Sequence, residues 1–149
     1  MFLYLNQVKV LIMTINEEIQ TKYIELQQID GQLKQLQQQM QMLDAQMDEI
    51  DFLIQSLDDF KNVKEGQEVL APLASGIFFK TKLQKNDEFL VNVGSGVVTK
   101  KSTKEVKEML DEQRKQMTEL QGRFTEDFST LGSQAMKIEK ELTELSKKG

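Results

Sequence analysis

Residues 66–101 have the sequence GQEVLAPLASGIFFKTKLQKNDEFLVNVGSGVVTKK, and this stretch decides the fold. Apolar and polar residues alternate along it in short runs that are typical of β-strands. The predicted strands lie at 69–73, 77–83, 88–93 and 97–101. Residues that favour turns separate them at 74–76, 85–87 and 94–96. The stretch therefore predicts two β-hairpins, with turn glycines at Gly76, Gly94 and Gly96.

Many apolar side chains of these strands share one parity, so they lie on one face of the predicted sheet. Four short strands expose their edges and carry too little apolar surface to cover that face. We therefore expect the segment to pair with the sheets of other chains. The predicted assembly residues are Val69, Leu73, Ile77, Phe79, Leu83, Phe89, Val91 and Val93.

The chain before this segment carries a heptad pattern. Alternating steps of four and three residues from Ile15 to Leu57 meet an apolar residue at every position but one. A strict seven-residue repeat predicts a long helix with left-handed supercoiling. Thr14 begins a capping-box signature and Gly66 is a natural stop, so the first helix is predicted over 14–65.

The chain after the β segment repeats the pattern. Between Val106 and Leu145 the seam positions are again apolar with one exception, and a stutter near Phe124 locally unwinds the supercoil. Ser102 begins a second capping-box signature, so the second helix is predicted over 102–149. The two helices have similar lengths and flank a compact insert. We therefore expect them to fold back antiparallel and to bury their apolar stripes against each other.

Together these elements predict an α+β fold, a long antiparallel coiled-coil helical hairpin with a four-stranded, two-hairpin β insert. The insert is the oligomerisation segment, residues 66–101. Residues 14–149 then form one structural domain.

Residues 1–13, MFLYLNQVKVLIM, are the one strongly apolar segment. The segment is too short to span a bilayer, which needs about 20 residues, and no small-residue cleavage site follows it. Two interpretations stay open: the segment is a loose apolar arm at the helix end, or Met13 is the true initiator. Neither sends the protein across a membrane, so we expect no membrane partner and a cytoplasmic location.

Composition excludes several functional classes. The 149 residues include no Cys, no His and no Trp, and the net charge is −5. Without Cys there are no disulfides or thiolate sites, and without His the commonest general base and metal ligand is missing. Acidic chains are poor general binders of nucleic acid, because phosphate neutralisation drives such binding. We therefore expect no enzyme activity, no cofactor, no metal site and no nucleic-acid partner.

The order helix, four strands, helix, with matched heptad arms, resembles an α-class prefoldin subunit of archaeal type. The most specific stretch is Leu70-Ala71-Pro72-Leu73 followed by Gly76, then Val93-Gly94-Ser95-Gly96 and the lysines that lead into the second helix. These residues are similar to the family's pattern of a Pro-containing first strand and a Val-Gly-x-Gly turn. Ala71 and Ala74 are mild departures from it. The resemblance covers nearly the whole chain from Thr14 onward.

The resemblance implies a hexamer of two α-class and four β-class chains, whose hairpins form a double β-barrel body. It also implies an ATP-independent holdase chaperone that captures non-native proteins and delivers them to a group II chaperonin. In the family, clients bind where the ends of the coiled coil unwind. On this sequence the implied client-binding residues are Ile15, Ile19, Tyr23, Ile138, Leu142 and Leu145.

A physical argument supports the same surface, because seam residues near frayed helix ends are intermittently exposed. The alternative is that these residues only pack the two helices of the coiled coil against each other, and for Ile138 the two interpretations stay equally open. An alternative function of another class is a coiled-coil scaffold or tether that oligomerises through its β segment. A scaffold needs one specific partner surface, whereas a chaperone binds unrelated unfolded chains.

Overall fold

A computed structural model describes residues 1–148 as one helix, four strands and a second helix. Helix α1 spans Phe2–Phe60 and helix α2 spans Thr103–Lys148. Between them lie β1 Glu68–Ala74, β2 Ile77–Lys82, β3 Glu88–Gly94 and β4 Val97–Ser102. The α+β class is confirmed, and each strand agrees with its predicted bounds to within one residue at either end.

The strands pair as two separate antiparallel hairpins, β1 with β2 and β3 with β4. The second hairpin has the same register as the first, including the irregularity beside its turn. Equivalent ion pairs cross both hairpins: Lys80 lies 3.8 Å from Glu68, and Lys100 lies 3.7 Å from Glu88. The β segment is therefore a tandem repeat of one hairpin, and this single chain does not close a barrel.

Both hairpin turns use the left-handed backbone region. Gly76 has φ +75° and Gly96 has φ +74°, while Gly94 has φ +114°. L residues that carry a Cβ rarely adopt such positive φ angles, so glycine is the favoured residue at each position. The predicted turn glycines lie at the points where the backbone requires them.

The start of α1 differs from the prediction. The helix begins at Phe2, so the predicted start at Thr14 is wrong. Thr14 lies inside the helix, where its Oγ1 donates a hydrogen bond to the Val10 carbonyl at 2.9 Å. Residues 2–13 contain neither Gly nor Pro, so nothing in them interrupts the helix. A continuous helix therefore takes the place of the loose arm, which was one of the two interpretations of residues 1–13.

The end of α1 also differs, because the helix stops at Phe60 and not at residue 65. Residues 61–67 form turns that tie the chain to the end of the first hairpin. The Gly66 N–H donates to the Leu83 carbonyl at 2.7 Å, and the Leu83 N–H donates to the Gln67 carbonyl at 3.0 Å. These tertiary bonds fix where the helix ends.

The start of α2 agrees with its predicted cap. The Glu105 N–H donates to Ser102 Oγ at 3.2 Å, and Ser102 Oγ donates to Glu105 Oε1 at 3.2 Å. These bonds satisfy one of the free N–H groups at the helix start. The capping-box prediction at Ser102 is confirmed.

The chain divides into two compact units. The hairpin unit is Asp44–Glu119, and the helical unit joins Met1–Leu43 to the chain from Leu120 onward. In each unit the α1 segment packs on the α2 segment through predicted seam residues. The most buried are Leu36, Leu43, Met47, Ile50, Leu57, Val106, Leu110 and Ile138.

The core of the hairpin unit lies where the helices meet the second hairpin. Its buried residues are Ile50, Leu57, Val106 and Leu110, and Phe89 and Val91 of β3 pack against them. The Phe60 and Phe89 ring centroids are 5.7 Å apart. The second hairpin therefore covers the apolar seam at the end of α1 and the start of α2.

Candidate functional site

Most of the predicted client-binding residues lie in the helical unit, toward the start of α1 and the end of α2. We call these five residues the end surface: Ile15, Ile19, Tyr23, Leu142 and Leu145. The aliphatic members are half-buried, and Tyr23 is 57% exposed. Ile138 differs from them, because only 7% of its surface is exposed and it packs in the seam. The end surface thus offers apolar atoms that the coiled coil covers only in part.

An ion pair joins the two helices beside the end surface. Lys22 Nζ lies 2.7 Å from Glu141 Oε2. This hydrogen bond raises the pKa of Lys22 and holds the pKa of Glu141 below its ordinary value. Both side chains are partly exposed, so the pair adds little stability. A charged residue inside a seam instead specifies the register of the two helices. In the sequence, Lys22 had appeared only as an interruption of the seam.

Helix α1 continues past the end surface as a segment that we call the N-terminal extension, residues 2–14. Lys22 of α1 meets Glu141 of α2, so seven residues further along α2 correspond to seven residues back along α1. Lys148 of α2 therefore lies opposite Ile15 of α1. Within residues 1–148, the extension therefore has no α2 segment beside it. Its exposed apolar side chains are Phe2, Leu3, Tyr4, Leu5, Val10, Leu11, Ile12 and Met13.

The predicted assembly residues are covered unequally. Phe89 and Val91 pack on the core of their own chain, and Val69 and Leu83 are half-buried. The remaining predicted assembly residues are exposed, namely Leu73, Ile77, Phe79 and Val93. Within this chain the helices present their apolar seam to β3. The first hairpin's members of the set thus have no such cover, and their role in assembly stays a prediction.

Sequence reasoning missed a second set of apolar residues on the hairpins. These side chains have the opposite parity and are more than half exposed: Leu70, Phe78, Leu90 and Val98. The run of three apolar residues at 77–79 was the signal, because strict alternation would have placed a polar residue in its middle. Both faces of each hairpin therefore present apolar side chains.

An apolar groove of about 470 Å³ opens in the hairpin unit between the helices and β3. Leu53, Phe60, Val91 and Met109 line it together with core residues. It lies against the hairpin that the sequence predicts to mediate assembly. The groove adds to the apolar hairpin surface that is available to a partner subunit.

Charged residues in the hairpin unit pair with each other. Asp58 lies 3.6 Å from Lys61 and 3.9 Å from Lys107, so the adjacent carboxylates at 58 and 59 do not stand alone. In residues 1–148, no three acidic residues converge in a way that would hold a metal ion. Neither helix of that range has the length and apolarity needed to cross a bilayer.

Comparison with known proteins adds an independent finding to this geometry. A family model described as prefoldin subunit matches residues 29–148, a range that includes all four strands. The chain belongs to the prefoldin family. Prefoldin is a chaperone, so the chain is a chaperone subunit, and the resemblance found in the sequence is confirmed.

Individual prefoldin relatives agree with this assignment. The chain is 27% identical to prefoldin subunit alpha of Archaeoglobus fulgidus over 130 residues, which are 87% of this chain and 95% of that protein. It is 26% identical to prefoldin subunit alpha of Thermofilum pendens over 86 residues, which are 58% of this chain and 67% of that protein. The cryo-EM structure of a filamentous PFD from Methanocaldococcus jannaschii has the same fold. Its TM-score is 0.70 at 19% identity, with 76% of this chain and 94% of that chain covered.

Proposed function

We propose that the chain is the α-class subunit of an ATP-independent holdase, which captures non-native proteins and passes them to a group II chaperonin. The observation that carries this proposal is the end surface, where Tyr23 is exposed and the neighbouring seam residues are only half-buried. Apolar atoms that the chain leaves partly uncovered are in contact with water. When an unfolded segment covers them, the free energy of the system falls. No part of this mechanism requires nucleotide hydrolysis.

Capture by such a surface depends on having several copies of it. A few half-buried aliphatic side chains give a weak contact, and a weak contact is quickly reversed. When several ends engage one client, the second and later contacts are intramolecular, and the effective affinity rises. Reversibility of each contact lets the client pass on to a chaperonin.

Assembly supplies those copies. We infer that two of these chains join four β-class prefoldin subunits, through the exposed hairpin residues Leu73, Ile77, Phe79 and Val93. Exposed strand edges and apolar hairpin faces favour strand pairing with a partner. The cytoplasm, where nascent and stressed proteins expose apolar segments, is the location that this function requires.

The first experiment isolates the chain from its host with the partners that copurify, and determines the stoichiometry by native mass spectrometry. Two copies with four copies of one smaller chain are expected. The purified complex, without ATP, should then suppress aggregation of a chemically unfolded test protein. A homo-oligomer or a single stoichiometric partner of another kind, without holding, would support the scaffold function instead.

A matched pair of variants then tests the site. Tyr23→Ser removes an aromatic side chain from the end surface, and Met42→Ser removes a 65% exposed apolar side chain from the same helix outside it. Tyr23→Ser should lose about 1 kcal/mol of apolar contact free energy with the client, so it should bind the client roughly fivefold more weakly. Met42→Ser should hold clients like the wild type. Equal holding by both variants would contradict the assignment of the end surface.

A further inference from the structure

Two glycines lie inside the helices of the helical unit, at the same level of the coiled coil. Gly31 lies nine residues after Lys22 on α1, and Gly132 lies nine residues before Glu141 on α2. Because Lys22 meets Glu141 and the two helices run in opposite directions, equal steps from this pair bring the glycines level with each other. A glycine in a helix interior destabilises the helix relative to alanine. Both helices are therefore weakened at one level.

Neither glycine is required by its surroundings. Gly31 and Gly132 have helical backbone without a positive φ, and no atom from elsewhere in the chain lies within 4 Å of the position that a Cβ would occupy. An alanine would fit at each position and would favour the helix. What glycine provides here, and alanine would not, is the freedom of the backbone to leave the helical conformation.

The packing between the helices is also loose at this level. The seam residues around the glycines are only half-buried: Ile29, Leu33, Leu131 and Ala135. Three clefts of about 340, 370 and 400 Å³ open beside the seam, and each is lined by at least one of these four side chains. Bending the helices here would therefore disrupt few buried apolar contacts.

Close packing returns on both sides of this level. Leu36, five residues beyond the glycine of α1, is 8% exposed, and Ile138, six residues beyond the glycine of α2, is 7% exposed. On the side of Ile138, the Lys22–Glu141 ion pair also joins the helices at 2.7 Å. The loose level therefore lies inside the coiled coil, and the fraying of a helix end does not account for it.

We propose that residues 29–33 and 131–135 form a joint, at which the two helices of the helical unit open and bend together. We call it the glycine joint. The segment beyond it keeps its own packing through Ile138 and the Lys22–Glu141 pair, so it changes direction as a folded piece. This inference rests on the proposed function in one respect, because turning of this segment lets the end surfaces of several chains engage one client. Multivalent binding is lost where geometry forbids simultaneous engagement.

Hydrogen exchange followed by mass spectrometry, on the assembled complex, tests the glycine joint. On α1, amides of residues 29–33 should exchange at least about tenfold faster than amides of residues 19–26 and of residues 36–43. A joint gives such a local maximum in the exchange rate. Fraying gives a rate that falls steadily from the end of the coiled coil, and a steady fall would overturn the inference.

Glycine-to-alanine variants test whether the glycines cause the opening. Gly132→Ala should slow exchange at the joint by about fivefold, and Gly31→Ala combined with Gly132→Ala by at least about tenfold, because alanine is the better helix former. Gly122→Ala is the matched control, since it removes a glycine of α2 ten residues away, where a Cβ also has free space.

The control should leave exchange at the joint within about twofold of the wild type. Equal slowing by Gly132→Ala and Gly122→Ala would show that the amides exchange through unfolding of the whole helix, without a joint. Unchanged exchange in the double variant would show that the glycines are not responsible. All of these substitutions favour the helix, so loss of the fold does not obscure the result.

The outcome for the proposed function is measured separately, by aggregation suppression in the assembled complex. If the complex holds an unfolded protein but exchange shows no maximum at the joint, this inference fails and the proposed function stands. If the maximum is present and depends on the glycines but the complex holds nothing, the proposed function fails and the joint stands.

Discussion

At the residue scale, Asp51 and Arg114 show how one side-chain pair sets the register of two long helices. Arg114 Nε donates to Asp51 Oδ1, and Nη2 donates to Oδ2 at 2.9 Å. A bidentate arginine–carboxylate pair is directional as well as attractive. Both side chains are partly exposed to solvent, so the contribution of the pair to stability is small. Its main effect is to fix which residues of α1 and α2 face each other in the hairpin unit.

The same pair predicts a pH dependence of stability. Hydrogen bonds from Arg114 hold the pKa of Asp51 below its ordinary value. A carboxyl whose pKa is lowered in the folded state stabilises the fold above its unfolded pKa, and this contribution is lost as the pH falls through the folded value. Asp51→Asn removes it. We expect the Tm of the wild type to fall more steeply than that of Asp51→Asn between about pH 5 and pH 2.

The matched control for this prediction is Asp48→Asn, which changes an exposed carboxyl almost one turn earlier on α1. Thermal unfolding followed by circular dichroism at several pH values measures all three chains. Asp48→Asn should keep the steep dependence of the wild type. If Asp51→Asn kept it as well, Asp51 would not be the group responsible.

At the element scale, glycine has opposite roles in the hairpin turns and in α2. Gly96 has a left-handed φ, and no atom lies within 4 Å of the position that a Cβ would occupy. Gly122 has the same free space but lies inside a helix. Steric fit is therefore equal at the two positions, and only the backbone conformation distinguishes them.

Alanine substitutions at these positions should change the free energy of unfolding in opposite directions. Gly96→Ala should destabilise the chain by about 1–2 kcal/mol, because the turn forces an L residue into the left-handed region. Gly122→Ala should stabilise it by about 1 kcal/mol, because alanine is the better helix former. Urea unfolding of both variants and the wild type measures these changes. Changes of the same sign would contradict the backbone explanation.

The elements also differ in how far local patterns define them. The four strands were predicted to within one residue, because glycine-containing or polar turns bound each of them. The start of α1 was predicted wrongly, because a capping-box spacing at Thr14 does not stop a helix whose preceding residues are themselves helix-forming. There the Thr14 hydroxyl bonds to Val10 of its own helix, as it does in a helix interior.

At the scale of the whole molecule, the hairpins carry the apolar surface that one chain leaves uncovered. Leu73 is 70% exposed, and Leu70 and Phe78, whose side chains lie on the opposite face of the hairpin, are exposed as well. Contiguous exposed apolar surface of this kind marks a protein interface. Because the second hairpin repeats the register of the first, the chain presents this kind of surface twice.

Assembly should therefore depend on the exposed hairpin residues. Leu73→Lys places a charge where a partner sheet is expected to pack, and it should weaken assembly by at least about tenfold. Met136→Lys is the matched control, because Met136 is 71% exposed on α2, outside the hairpins. Native mass spectrometry of the complex over a dilution series measures both. Intact assembly of Leu73→Lys would contradict the proposed interface.

The amino-acid sequence by itself determined the two heptad helices, the four strands and the strand–turn pattern of the prefoldin family. Periodicity, turn glycines and the Ser102 cap are local properties, and neighbouring residues are enough to define them. The same locality explains why all of the most buried residues were predicted seam positions.

Only the tertiary structure decided which strand face is covered and which distant residues meet. Phe89 packs on the helix core while Phe79 stays exposed, although both have the predicted core parity. Arg114 meets Asp51 from 63 residues away. Such contacts join distant parts of the chain, so they follow from how the helices and hairpins fold back on one another and not from any local pattern.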